Sequence, residues 1–112
     1  MEIKKLAING RELGTIGIAD RFFLRLRGML GRNFSLFDAL WIRPCSEIHT
    51  LFMEYPIDVL FIDKTGQVMK ITENIRPWVP YAGARRAQSV IELPAGKAGE
   101  WIIQLGDHIS AF

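Results

Sequence analysis

The chain has one cysteine and two histidines among 112 residues, and that scarcity excludes a good deal of chemistry. A single thiol makes no internal disulfide, and a cysteine-rich zinc site needs more sulfur than is present. Charge of one sign is also lacking. Fourteen Lys and Arg stand against 12 Asp and Glu, for a formal net charge of +2. Spread along the chain, these build no concentrated positive field of the kind that phosphate backbones require, so nucleic acid is not an expected partner. Long apolar runs are missing as well. Charges interrupt the opening Met-Glu-Ile-Lys-Lys before the roughly seven apolar residues of a signal-peptide core can form. The richest segment carries Asp58 and Asp63, so nothing approaches the roughly 18 uninterrupted apolar residues of a membrane span. The expectation is a soluble, cytoplasmic protein.

What is there is apolar sequence in short pieces. At 49% hydrophobic, the chain can bury one core, and its length predicts a single domain over residues 1–112, a monomer or small homo-oligomer. Ile3 to Ile8, Asn9-Gly10 and Glu12 to Ile18 read as a β-hairpin, because Asn-Gly supplies the two positive φ angles of a type I′ turn. Asp20 then caps a helix to Leu30, with Phe22, Phe23, Leu26, Met29 and Leu30 at three- and four-residue steps and Arg21, Arg25 and Arg32 in other directions. Ala39 to Ile42 is a short strand. Ile48 to Met53 and Ile57 to Ile62 are apolar on both parities, as central strands buried on two sides are.

Asp63-Lys64-Thr65-Gly66 is turn chemistry before a strand over Gln67 to Thr72. Residues Asn74 to Arg86, with Pro77, Pro80 and Gly83, form a loop. Ser89 to Leu93, a short amphipathic segment around Ala98 to Leu105, and a last strand at Ile109 complete the chain. Seven or eight strands against one convincing helix predict a mostly β fold: a compact barrel-like or rolled antiparallel or mixed sheet with one or two short helices. An α+β sheet is the alternative.

Several separated segments then point the same way. Cys45, Ile48-His49-Thr50, Met53, Pro56-Ile57-Asp58-Val59-Leu60-Phe61-Ile62-Asp63, Gly66 and Val68 together resemble the bacterial and archaeal family called domain of unknown function 192, in an Ile-His-Thr branch. Arg27-Gly28-Met29-Leu30, Val90-Ile91-Glu92-Leu93-Pro94-Ala95-Gly96 and Gly106-Asp107 resemble further segments of that family, in the right order, from about Arg21 to Asp107. The resemblance implies a small β-rich domain, here read as a bacterial one, and contributes no reaction.

The chemical candidates come from polar residues inside apolar sequence. Cys45 with His49 suggests a thiol and its base, with Asp58 or Asp63 to orient the ring. Four residues along a strand span about 13 Å, however, so the pair needs a turn at Ser46-Glu47 to meet. Metal ligation would draw on Cys45, His49, Asp58, Asp63, Asp107 and His108, which show no close-ligand spacing, so no metal is expected. Asp58, Asp63 and Asp107 each also suit a turn carboxylate. Arg76, Trp78, Tyr81, Arg85 and Arg86 form a basic, aromatic loop suited to stacking and anion recognition. The favoured reading is a non-catalytic binding or accessory module without a cofactor. Its candidate ligand-binding residues are His49, Thr50, Asp58, Arg76, Trp78 and Arg85, and its partner is a small anionic ligand or a protein. The alternative is a small enzyme using Cys45 or His49 with Asp58.

Overall fold

A computed structural model of the chain describes residues 1–21, 24–25, 28–29 and 33–112. Strands β1 (Glu2–Ile8) and β2 (Arg11–Ala19) form the expected hairpin, paired Ile8 to Arg11 across Asn9 and Gly10 at φ 53° and 79°. Both angles lie in the left-handed region a type I′ turn demands. Then follow β3 (Ala39–Ile42), β4 (Glu47–Ile48), β5 (Ile57–Ile62), β6 (Val68–Ile75), β7 (Ala82–Gly83), β8 (Ser89–Pro94), a one-turn helix α1 (Lys97–Glu100) and β9 (Ile109–Ala111).

Seven of the strands make one curled half-barrel sheet in the order β6-β5-β8-β3-β2-β1-β9, and β4 with β7 forms a separate two-stranded ribbon. The large sheet is mixed, because β2 and β3 run parallel while its other neighbours are antiparallel. Its two outer strands draw together at one end. The Val68 N–H donates to the Asp107 carbonyl at 2.9 Å, and the Ile109 N–H to the Gly66 carbonyl at 2.9 Å.

The central strands separate two apolar layers. Trp41, Leu60, Ile62, Ile91 and Leu93 point to the layer that holds Ala98 and Ile103, whereas Leu40, Ile42, Val59, Phe61 and Val90 point to the layer that holds Met29, Phe37 and Met53. Every residue of β5 is buried. That is why its sequence is apolar on both parities, since alternate side chains enter opposite layers.

The strand read over Ile48 to Met53 is not formed beyond Ile48: residues 49–53 turn, with the Met53 N–H bonded to the Thr50 carbonyl and Phe52 at φ 65°. Apolar residues at both parities fit a turn that buries Thr50 and Met53 and exposes Phe52 as well as they fit a buried strand, and the hydrogen bonds of Thr50 to residues 76–79 decide between them. The helix read over Asp20 to Leu30 lies partly outside the described residues. Within them, the N–H of Arg25 bonds to the Arg21 carbonyl and that of Gly28 to the Leu24 carbonyl, the spacing of an α-helix.

Candidate functional site

Glu92 lies near the middle of β8, opposite Leu40 on one side and Val59 on the other. By alternation it shares the second layer with Val90, and it is 4% exposed. A carboxylate enclosed by Leu, Ile and Val is costly to ionise, and desolvation pushes its pKa up to about 7, opposed only by a hydrogen bond from the Met29 N–H. Its Oε2 is buried and has no hydrogen-bond partner. No cation is placed to offset this charge among the described residues. Gly28, at φ 51°, brings the backbone against it, and a Cβ at that position would stand 3.5 Å from Oε1.

Glu92 forms part of the wall of a cavity of about 190 Å³. Arg25, Cys45, Glu47 and His49 complete its polar lining, while Met29, Ile42, Ile48, Leu51 and Met53 supply most of the apolar surface. Arg25 donates through Nη1 to the Pro44 carbonyl at 3.3 Å, and its Nε is buried without a partner. The cavity is therefore walled by three pieces of chain: the segment around Gly28, the turn from Cys45 to Met53, and the central strands.

Cys45 donates its thiol proton to the Glu47 carbonyl at 3.0 Å. Burial pushes that thiol above its ordinary range, and the Glu92 and Glu47 carboxylates add to the effect, so the protonated form is favoured. His49 is exposed at the cavity margin, with Nδ1 accepting the Leu51 N–H at 3.2 Å. Glu47 belongs to strand β4 rather than to a turn, with a bend at Ser46 alone; Cys45 and His49 still reach one cavity, but with Nδ1 so engaged no carboxylate orients the ring through that atom.

The other expected residues separate. Asp58 points into the opposite layer: it faces Leu93 across β5 and β8, is 0% exposed, and accepts N–H groups from Asn74 at 2.8 Å and from Gly96 and Ala98 at 3.0 Å each. It fills the bulge where β5 and β6 lose register and holds the start of α1, so it cannot orient His49. An enzyme built on His49 with Asp58 is thereby corrected.

Thr50 is likewise fully buried, donating to the Arg76 carbonyl at 2.7 Å and accepting the Val79 N–H at 2.8 Å. It ties the loop of Arg76 and Trp78 to the turn, yet no residue of 76–86 lines the cavity. Trp78 is exposed and packs against Phe52, ring centroids 4.7 Å apart and planes tilted by 59°. Arg85 lines a separate depression with Asp63, Lys64 and Arg86. Asp63 serves the turn, bonded to Thr65 Oγ1 at 2.6 Å and to the N–H groups of Thr65 and Gln67; the Thr65 hydroxyl foremost lowers its pKa. Asp107 does the same for Gln104 and Asn9. Among the described residues, no group of three or more His, Cys, Asp or Glu is placed to hold a metal ion, and no helix is long and apolar enough to cross a membrane.

Glu92 is the residue that sequence reasoning missed as a site. Its signal was available: an acid in the run Val90-Ile91-Glu92-Leu93, where both neighbours on either side are strand-core residues. A buried carboxylate without a pairing cation is uncommon, and beside a cavity it makes Glu92 a candidate site residue.

The fold and cavity define a class: a mostly β, curled half-barrel domain whose sheet carries a buried acid beneath a turn. The family described as an uncharacterised ACR, domain of unknown function 192, has a sequence model that matches residues 4–111, and the chain belongs to that family. It is 33% identical to a UPF0127 protein of Thermococcus sibiricus over 86% of this chain and 65% of that protein, so it spans just under two thirds of that relative. It is 34% identical to a UPF0127 protein of Pyrococcus abyssi over 86% of this chain and 85% of that one. These relatives are archaeal, which corrects the bacterial affiliation read from the sequence. Among solved structures, a protein of Sinorhizobium meliloti named as a candidate transcription regulator superposes with a TM-score of 0.86 at 21% identity, covering 98% of this chain and 94% of that one. A protein of unknown function from Novosphingobium aromaticivorans gives 0.79 at 21% identity, over 96% and 82%. At that identity the likeness establishes the fold.

Proposed function

We propose that the chain is a small-ligand-binding module, a single cytoplasmic domain that seats a molecule of a few heavy atoms in the cavity walled by Glu92, Cys45 and His49. One observation carries this reading: a 4% exposed carboxylate with an unpartnered oxygen, on a cavity that is otherwise mostly apolar. Buried polar groups ordinarily find partners, and an orphan beside a cavity is the mark of a partner supplied from outside. The acid floor also redefines the ligand expected from the sequence. A simple anion would meet the Glu92 carboxylate, so the ligand must bring a hydrogen-bond donor.

A second reading rests on one further feature. An acid with a pKa of about 7 beside a thiol and an imidazole is suited to proton transfer near neutrality. In an enzyme of this kind Glu92, rather than Asp58, is the acid–base group.

The test is a screen of small aliphatic amines, amides and amino acids by two-dimensional NMR. Binding should move the signals of Met29, Ile42, Ile48 and Met53, and Glu92→Leu, which removes the acid and fills space, should abolish it. Shifts confined to other surfaces, or binding unchanged in Glu92→Leu, would remove the basis of the reading.

A further inference from the structure

Among the described residues, only two buried side-chain polar atoms lack a hydrogen-bond partner: the Arg25 Nε, a donor, and the Glu92 Oε2, an acceptor. Both residues line the same cavity of about 190 Å³. No hydrogen bond joins them, and Arg25 does not figure among the groups that shift Glu92. The cavity thus presents one unmet need of each kind, on opposite charges, with Met29, Ile42, Leu51 and Met53 as apolar lining.

From this pairing, and resting on the ligand-binding reading above, we infer that the cavity recognises a small aliphatic zwitterion, an amino acid in the chemical sense. Its ammonium group meets Glu92 and its carboxylate meets Arg25. Charge-assisted hydrogen bonds of both signs are made at once, and neither wall charge is left uncompensated. The aliphatic frame lies on the methionine and isoleucine side chains, which adapt to irregular shapes. Oε2 is turned from open solvent, but the terminal carboxyl torsion is soft, and a partial rotation of the carboxylate plane turns an oxygen toward the cavity. Arg25 is already steered by its Nη1 bond to the Pro44 carbonyl, and its buried Nε is a donor without a partner.

A ligand with only an amine leaves Nε unmet, and one with only a carboxylate faces the Glu92 charge. A neutral amide satisfies both atoms without the charge assistance. The zwitterion is therefore separated from its truncated forms by at least one charged hydrogen bond, about tenfold or more in affinity.

The experiment is titration calorimetry with NMR mapping on the full chain, using glycine, alanine, valine, leucine and γ-aminobutyrate. The controls are isobutylamine, isovalerate and isobutyramide, which keep the branched frame and remove one or both charges. The expected result is a zwitterion that binds about tenfold or more tighter than every control, with Glu92→Gln and Arg25→Gln each cancelling most of that preference while retaining a native spectrum. An amine that binds as tightly as the zwitterion overturns the inference in favour of a cation site; an equally tight carboxylate overturns it in favour of an anion site. If only neutral fragments map to the cavity, the zwitterion is wrong and the ligand-binding reading stands. If no compound maps there, both fall.

Discussion

The Asp58 carboxylate accepts the backbone N–H of Ala98 at 3.0 Å, across 40 positions of sequence. The same oxygen takes the Gly96 N–H and the other takes that of Asn74, so one side chain joins β5, the bulged end of β6 and the start of α1. Asn at position 58 keeps one acceptor and turns an NH₂ donor toward backbone donors. Asp58→Asn should therefore cost about 2–4 kcal/mol, from one lost charged network in a buried place. Urea unfolding measures this, and a change below about 0.5 kcal/mol, the range of ordinary surface substitutions, would contradict it. Ligand binding in the opposite layer should be unaffected while the protein is folded.

Glu92 makes stability fall as pH rises. Its folded pKa of about 7 lies above the ordinary 4.5, so the native state holds a proton that the unfolded chain has released. Stability is undiminished below pH 4.5, declines between there and about 7, and is lowest above. A shift of this size corresponds to roughly 3 kcal/mol. Glu92→Gln should flatten that part of the profile and raise stability at pH 8 by about 2 kcal/mol. Denaturation midpoints at pH 5 and 8 for both proteins decide the matter; parallel profiles would show that Glu92 does not titrate as described.

Cys45 should react slowly. Its thiol is held above the ordinary range by burial and by neighbouring carboxylates, and the thiolate is the nucleophile. Alkylation by iodoacetamide at pH 7.5 should proceed more slowly than that of a free cysteine peptide, accelerate well into alkaline pH, and slow further when a ligand fills the cavity. Fast labelling near neutrality would instead favour an enzyme that uses this thiol.

Thr50 should control the loop of Arg76 to Tyr81. Its hydroxyl bonds the Arg76 carbonyl and the Val79 N–H, and the Thr50 carbonyl accepts the Trp78 N–H at 2.8 Å. Thr50→Val keeps the shape and leaves two part-buried backbone groups without this partner, at a cost of about 1–2 kcal/mol. The Val79 amide should lose hydrogen-exchange protection and the Phe52–Trp78 contact should loosen, visible in the Trp78 indole NMR signal. Unchanged protection at Val79 would assign the loop's order to other contacts.

Local chemistry made much of the fold legible. Asn9-Gly10 selects its turn through positive φ, and Asp63 selects its own by bonding Thr65 and Gln67 within four positions. The strand β5 announced its burial on two faces because apolar residues occupy both parities. Ile48 to Met53 carried the same pattern and is mostly a turn. The difference lies in the hydrogen bonds from Thr50 to a loop 26 to 29 positions away, which no local pattern records.

The candidate site divides in the same way. Sequence by itself determined the turns, the apolar strands and the family, because short-range sterics and side-chain alternation act over a few residues. It also supplied Cys45 and His49, which stand only four positions apart. Only the tertiary structure decided that Asp58 serves one layer and Glu92 the other. That assignment depends on the pairing of β5 with β8 and on which layer each parity enters. It also brought Arg25 to the cavity of Glu92, because the cost of burying a charge is set by neighbours in space, which lie far apart along the chain.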